Sequence, residues 1–552
     1  MRYIRRTIPE GFTIPDIPEW MSAVLRTRGI TSVEEGRRFI RPTLADLHSP
    51  FLMPDMEKAV SMIRETIRKG NSITVYGDYD ADGVCASSIL TEALRDCGAR
   101  VDYYLPSRHT EGYGLHGEAI RKIAGRAALL ITVDCGISNH REIALARELG
   151  LRVILSDHHE LPEVLPEADA ILHPRVGDYP CGHLCGAGVA LKLAHALGGD
   201  AALDKALDLG AIATVADVVP LLDENRAIVR EGIRRMGQRP GLAALLNCSG
   251  TQAPLCAEDL AFRIGPRLNA AGRLEDARLA AELLQTHDPD EAARLAEHLE
   301  MLNGRRQALE RAMTESAVTQ AQSVPDFAER RSIVVSGEGW NPGLIGLTAG
   351  RLCERYHRPV VALSVQGEQA TGSCRSIPGV NIFEMLTRCG DLLEKYGGHA
   401  QAAGLTVRTE RIEVFRQRLD DIIRQSCDPL CFEPEKEYDA EVPFGEWDEK
   451  SVRLMDWLEP TGEGNPPPVF RIPRAAVQSA RRVGRDLSHL QLSLLDGGTL
   501  FKGIAFGMGE KADHALSEID ILYRPTLNRF RGNVSVEAQI SAIESAGRDS
   551  SP

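Results

Sequence analysis

The sequence predicts a multidomain α/β protein, on three observations. Between about 71 and 220, short apolar runs alternate with amphipathic stretches, the pattern of a parallel sheet flanked by helices. From 275 to 323 the chain is rich in Ala, Leu, Glu and Arg at helical spacing. That predicts two helices, the second long, acting as a connector. After about 430, short strand-like runs recur between turns, which suggests a small barrel or sandwich. A length of 552 residues allows three or four domains at roughly 150 residues each.

The elements follow in order. SITVYG (72–77) reads as a buried strand, and VCASSILTEALRDCG (84–98) as a helix ended by Gly98. VDYYL (101–105), LLITVD (129–134), RVILS (152–156) and ADAILHP (168–174) are further strands. Segments near 116–124, 139–150 and 187–198 read as helices. Beyond the connector, SIVVSG, LIGLTAGRLCERY and PVVALSV form a second strand–helix region that ends near AAGLTVR. EYDAEVPF, PVFRI, AAVQSARRVG, HLQLSLL, FKGIAFG, ILYRPTLN and VSVEAQI supply the last strands. The tail SAGRDSSP reads as disordered.

Composition narrows the class. Hydrophobic residues at 43% and charged residues at 26% are ordinary for a soluble globular protein. No run of about 18 apolar residues exists, and the start MRYIRRTIPEGF has no apolar signal-peptide core. We therefore expect a cytoplasmic protein without membrane contact. The 12 cysteines are scattered and read as reduced thiols. Cys181, His183 and Cys185 lack the pairwise spacing of a zinc site and read as structural. A net charge of −14 argues against nonspecific coating of duplex DNA, although it leaves room for a local basic groove. Residues 471–485 carry Arg471, Arg474, Arg481, Arg482 and Arg485 and no acid. Residues 262–278 carry Arg263, Arg267, Arg273 and Arg278 against Glu275 and Asp276. Such segments are more often plain solvated faces.

The placement of the acids carries the chemistry. YGDYDADG puts Asp78, Asp80 and Asp82 just past the first strand. Asp134 ends LLITVD, and Asp157, His158 and His159 end VILSDHH. Ends of parallel strands emerge on one side of a sheet, where open α/β proteins bind ligands. Asp217 lies in the otherwise apolar run AIATVADVVPL. Taken singly, each acid is more often a helix cap or a loop residue. Together they form a cluster whose mutual repulsion divalent cations would relieve. Carboxylates with imidazole suit Mn²⁺, Mg²⁺ or Zn²⁺. Four Asp and one or two His are enough for two metals sharing a carboxylate, about 3.5–4 Å apart, as in phosphoryl transfer.

These stretches resemble the DHH phosphoesterase family, whose four motifs are similar to YGDYDADG, TVDCG, SDHH and ATVADVVPL in that order. Within it, PSRHTEGYGL, CGAGVALKLAHAL, RIGPRLNAAGRL, SCRSIPGVNI, YGGHAQAAGLTV and LEPTGEGNPPPVF resemble the RecJ exonucleases, and the likeness covers nearly the whole chain. The resemblance implies a parallel-sheet DHH domain, a long connecting helix, a second α/β domain of the DHHA1 type and a C-terminal OB-like β-barrel. The expected division is an N-terminal helical segment over 1–48, the DHH domain over 49–274, the connector over 275–328, the DHHA1-like domain over 329–428, the barrel over 429–545 and a disordered tail over 546–552.

The resemblance also implies an activity: 5′→3′ exonucleolytic hydrolysis of single-stranded DNA to 5′-mononucleotides by two divalent ions, Mn²⁺ or Mg²⁺, in recombination and repair. By motif, Asp80, Asp82, Asp134, His158 and Asp217 would ligate the metals. His159 would donate a hydrogen bond to the scissile phosphate, with Asp157 orienting it. Asp78 has no settled share and reads as structural. Arg108 would contact the phosphate next to the cleaved bond, Asn269 and Arg273 would support the strand, and Ser373, Arg375 and His399 would close over the terminal nucleotides. A helicase and a single-strand-binding protein are the implied partners. A monomer is expected, on no feature of the sequence. Two positions depart from the family: Asn341 stands where His is frequent, and Thr461 where Phe is frequent, which would weaken a contact in the barrel.

Single strands are commonly held by stacking on aromatic faces. With 5% aromatics the platforms are few, and Tyr113, Phe470 and Phe530 are candidates, Phe470 reading more as core. The connector between the two α/β domains is expected to frame a channel too narrow for a duplex. Three other readings compete: a DHH phosphodiesterase for short oligonucleotides or cyclic dinucleotides, an inorganic pyrophosphatase, and a non-catalytic repair scaffold. The C-terminal strands argue against the first two, and the intact acids and histidines against the third.

Overall fold

The computed structural model describes every residue except 1, 10, 109, 514–516, 531–532 and 546–552. The expected disordered tail lies outside the described residues. The chain opens with a short strand, β1 (Arg2–Arg5), followed by helices Glu19–Thr27 and Val33–Ile40.

The next unit is a five-stranded sheet of β2 (Ser72–Tyr76), β3 (Arg100–Tyr104), β4 (Leu129–Val133), β5 (Arg152–Ser156) and β6 (Ala170–Leu172). All pairings are parallel, and the order is β3-β2-β4-β5-β6. The direction of winding reverses between β2 and β4, and crevices for ligands form at such a point. β4 is buried at every residue, and β2 and β5 at all but their first, as a sheet covered on both faces requires. On one face, helix Ala81–Asp96 packs with Gly186–Ala216, a 31-residue element broken at Gly199, where φ is 66°. Helices Gly117–Ala124 and His140–Glu148 cover the other face.

The two connector helices are present as Arg278–Gln285 and Pro289–Ser323. The long one is shared between two cores: Ala292, Ala296, Leu299 and Leu302 pack into the first domain, and Met313, Ala317 and Ala321 into the second. That second domain is a sheet of β7 (Ile333–Glu338), β8 (Val360–Gln366), β9 (Gln369–Arg375), β10 (Leu393–Gly398) and β11 (Ala402–Arg408) in the order β10-β11-β9-β8-β7. Helix Ile345–Tyr356 packs on β8 and β9.

The remaining strands are β12 (Glu435–Tyr438), β13 (Ala440–Glu441), β14 (Phe470–Val483), β15 (His489–Asp496), β16 (Thr499–Ala505), β17 (Glu518–Phe530) and β18 (Asn533–Ser545). β14, β15, β16, β18 and β17 pair in sequence, and β14–β17 pairing closes them into a five-stranded barrel.

The N-terminal segment, expected to be helical over 1–48, carries its two helices but is not helical throughout. It begins as a strand, β1, which pairs in parallel with β12. Ile14, Trp20, Met21, Val24, Leu25 and Phe39 share one core with Phe470, Trp447 and Tyr523 of the barrel unit. Two short amphipathic helices have nothing of their own to bury against, so their apolar faces go to the nearest core. Arg6 and Arg28 meet Asp439 at 2.9 and 2.7 Å and fasten the join. Among the described residues no helix is long and apolar enough to cross a membrane.

Candidate active site

Asp78, Asp80 and Asp82 follow β2, Asp134 follows β4, and Asp157 to His159 follow β5. All lie on one edge of the sheet, around the point where the winding reverses. Asp80 caps helix Ala81–Asp96, accepting from the N–H groups of Asp82 and Gly83 at 3.0 Å. Asp82 is buried, and its two oxygens accept from the Gly186 and Ala187 N–H groups at 2.7 Å. It therefore ties the first acid loop to the start of the long helix, whose far end supplies Asp217 as its C-cap.

The carboxylates and His158 converge. Asp82, His158 and Asp217 offer ligand atoms that all lie within 4.8 Å of one another, and so do Asp78, Asp80 and Asp134. Asp134 also groups with His158 and His159, which makes the two places adjacent. His158 Nε2 stands 3.1 Å from Asp134 Oδ1, yet neither atom makes a hydrogen bond. Asp78 Oδ1 is likewise buried without a partner. Each such atom costs about 1–3 kcal/mol if nothing fills the space between them. Burial, with the neighbouring carboxylates, pushes Asp78, Asp134 and Asp217 well above the usual carboxylate range. Burial lifts Asp82 too, against the opposing pull of His158. The donor set and its unpartnered atoms fit divalent cations.

Asp78 is the acid whose part was unsettled, and it stands inside the cluster. The remaining motif acid, Asp157, has a different task. Its Oδ2 accepts from Ile137 N–H at 2.9 Å, and its Oδ1 accepts from His158 N–H and meets His159 Nδ1, both at 2.7 Å. Burial opposes a charge on His159, but the hydrogen bond to Asp157 and the charges of Asp157, Asp82 and Asp80 outweigh it and raise its pKa. His173, which drew no attention in the sequence, meets His159 O through Nε2 at 2.8 Å. It sits just past β6, so the strand-end rule that found the other residues applies to it as well.

A cationic cluster adjoins the acids at the junction of the two α/β domains. Arg108 lies over the Tyr79 ring at 4.2 Å. Arg273 donates to Gly343 O at 2.8 Å. Burial, with Arg108 and Arg306 nearby, pulls its pKa down to about 10. Arg375 donates to Ser373 Oγ at 3.2 Å. The segment 343–346 touches all four: a Cβ at Gly343 would lie 3.0 Å from Arg273 O and 3.7 Å from Arg108 Cδ, and one at Gly346 would lie 3.0 Å from Ser373 Oγ and 3.3 Å from an Arg375 guanidinium nitrogen. His399 is exposed in the β10–β11 turn, where it adds to Arg175 in holding the Glu160 carboxyl below its usual range.

Other expectations fare differently. Asn269 uses its oxygen on Ala81 N–H at 2.9 Å, so that oxygen supports the acid loop. Asn341 keeps a polar contact, accepting from Gly343 N–H at 2.7 Å. Thr461 lies in the loop that meets the first domain at Leu221 N–H→Glu463 O, 2.8 Å, and bonds Glu459, so it is outside barrel packing. Tyr113 is half exposed with its hydroxyl 3.1 Å from His159 Nδ1. Phe470 is fully buried in the barrel core and cannot stack a base. The Phe530 side chain lies outside the described residues. Arg471 and Arg474 pair with Glu441, Asp520 and Glu518, which removes much of the basic character expected there.

This arrangement of a parallel sheet with strand-end acids and histidines defines a metal-dependent phosphoesterase of the DHH class. The profile of the DHH family N-terminal domain matches residues 72–214, the DHHA1 domain matches 330–425 and the RecJ OB domain matches 438–542. The chain is similar to the single-stranded-DNA-specific exonuclease RecJ of Bacillus subtilis, 37% identical over 94% of this chain and 67% of that protein. It is 34% identical to the Escherichia coli protein of the same name, over 98% of each. A crystal structure of RecJ in complex with Mn²⁺ from Thermus thermophilus superposes with a TM-score of 0.86 at 32% identity, covering 99% of this chain and 79% of that one. The chain belongs to the RecJ family.

Proposed function

We propose that the protein is a single-strand-specific DNA exonuclease that works from the 5′ end and releases 5′-mononucleotides. The observation that carries this reading is the juxtaposition of unpartnered acids with guanidinium groups across one domain junction. A phosphodiester needs both, cations at the reacting oxygens and positive charge on the flanking phosphates.

Asp80, Asp82, Asp134, His158 and Asp217 would hold two Mn²⁺ or Mg²⁺ ions, with Asp78 beside them. The ions supply water activation and leaving-group stabilisation when bound. His159, held by Asp157 with a raised pKa, donates a hydrogen bond to the phosphate as charge develops. Arg108 holds the phosphate next to the cleaved bond, and Arg273 steadies the strand. Ser373, Arg375 and His399 close over the terminal nucleotides from the second domain. The likeness to RecJ proteins supports a role in recombination and repair. A helicase and a single-strand-binding protein as partners, and a cytoplasmic monomer, belong to the same proposal.

The test uses single-stranded DNA labelled at either end, with Mn²⁺, beside Asp134→Ala. Early loss of the 5′ label as mononucleotide, absent in the variant, is the expected result. Activity confined to dinucleotides or pyrophosphate would overturn the exonuclease reading and leave the metal site standing.

A further inference from the structure

The chain has few aromatic residues, and its most exposed large hydrophobic side chain among the described residues is Phe262, 74% accessible. Phe262 sits in the middle of a π-helical turn, Leu260–Ile264, that leads directly into helix Gly265–Leu274. Turns of this kind are rare and cluster at functional sites. The helix it opens is the one that carries Asn269 and Arg273.

Phe262 and Pro266 form one wall of a cleft of about 480 Å³. The long connector helix lines it with Arg306, Arg311 and Thr314, and helix Ile345–Tyr356 contributes Arg351. The cleft therefore spans the same two domains as the active site. Its acids are Glu310 and Glu315. Glu310 is shared between two guanidiniums, Arg306 at 2.8 Å and Arg351. Arg311 makes no ion pair among the described residues. Thr314 Oγ1 is buried with no hydrogen-bond partner. Three arginines against two acids leave the cleft cationic. It is also continuous with the arginines of the active site: Arg306 is close enough to Arg273 to depress its basicity, and Arg351 acts on Arg306 in the same way.

Resting on the exonuclease reading above, we propose that this cleft is a second single-strand subsite, in which Phe262 stacks a base while Arg311 and Arg351 face backbone phosphates. Phe262 lies eleven positions before Arg273, about 16 Å at helical rise, so the subsite is set back from the residue that steadies the strand. Aromatic stacking tolerates any base, as an enzyme that consumes a strand of arbitrary sequence requires. The subsite would hold the part of the strand not yet digested, and so favour long substrates over short ones.

The experiment compares KM on a strand of about 20 nucleotides with KM on a dinucleotide, for the full-length protein with Mn²⁺. Phe262→Ala is expected to raise KM for the long strand roughly 5-fold or more, the loss of one stacked base, and to change the short substrate far less. Phe262→Trp, which keeps an aromatic face, should restore the long-strand KM, and its added indole emission should fall on strand binding. Arg311→Ala should lower the slope of log affinity against log salt by about 0.7, one phosphate contact on a single strand. Equal KM changes at both lengths, or none, would overturn the subsite, as would unquenched emission from the Trp variant. Wild-type protein that digests neither substrate would instead sink the exonuclease reading itself.

Discussion

Gly186→Ala adds one carbon beside the acid cluster. A methyl group at residue 186 would lie 2.5 Å from Asp134 Cβ, 2.6 Å from its Oδ1 and 2.8 Å from its Cγ. Non-bonded carbons sit near 3.5–4.0 Å, so the carboxylate must retreat by about 1 Å. Asp134 has little freedom to do so. It is buried, its backbone is in the left-handed region with φ at 60°, and His158 Nε2 stands 3.1 Å away. The helix has as little, because the Gly186 and Ala187 N–H groups hold Asp82 at 2.7 Å. Overpacking of this kind costs about 1–3 kcal/mol. Displacing a reacting group by about 1 Å costs on the order of 100-fold in rate. The variant should fold, melt a few degrees lower, lose roughly 100-fold in kcat and need more Mn²⁺ for half-maximal activity. Thermal melts and Mn²⁺ titrations of nuclease activity measure all of this. Wild-type kcat at wild-type Mn²⁺ demand would show that the close approach of residue 186 to Asp134 does not position the carboxylate.

Arg239 is buried between Glu92 at 2.6 Å and Asp208 at 3.1 Å. Arg239→Met strands both carboxylates and should cost about 3–5 kcal/mol in urea unfolding. A loss under about 1 kcal/mol would contradict that accounting. Arg226 is fully buried, makes no ion pair among the described residues and donates to the carbonyls of Phe39, Leu221, Leu458, Glu459 and Pro460. Arg226→Met should loosen the first domain from the barrel unit and speed limited proteolysis between them, whereas an unchanged cleavage pattern would deny Arg226 that role. In metal-free protein the folded carboxyls of Asp78, Asp134 and Asp217 hold protons more tightly than unfolded ones, whose pKa is about 4. The folded state then gains stability as pH falls toward the unfolded pKa, and the gain is complete below it. His158, whose pKa burial lowers, works against this below about 6.5. Melts in EDTA should therefore rise with mild acidification, while melts in Mn²⁺ should fall as protons compete for the ligands. Parallel trends in the two buffers would mean that the acids do not bind the metal.

Much of the site was legible in the chain because its signals are local. A short run with a mostly apolar interior and an acid within two residues of its end states both a buried strand and a carboxylate at its edge, and β2, β4 and β5 each read that way. The same rule would have included His173 after β6. Helical periodicity likewise marked the long connector without reference to any partner. Contacts between distant segments carry no such mark. The β3-β2-β4 order, and so the reversal point at which the acids meet, depends on which strand edges pair. The union of β1 with β12 depends on where two short helices find a core, far along the chain. Asp78 joined the acid cluster, and Asn269 turned its oxygen to the Ala81 amide, because of packing around them and not because of their neighbours in sequence. Phe470 and Phe262 are the same residue type near basic segments, yet the first closes the barrel core and the second stands in solvent. Composition and period determine which elements form and where their chemistry-bearing ends fall, since those follow from local backbone geometry and alternation. Only the tertiary structure decides which ends converge and which side chains remain accessible, because burial is a property of the whole assembly of surfaces and each segment is covered by residues it cannot specify.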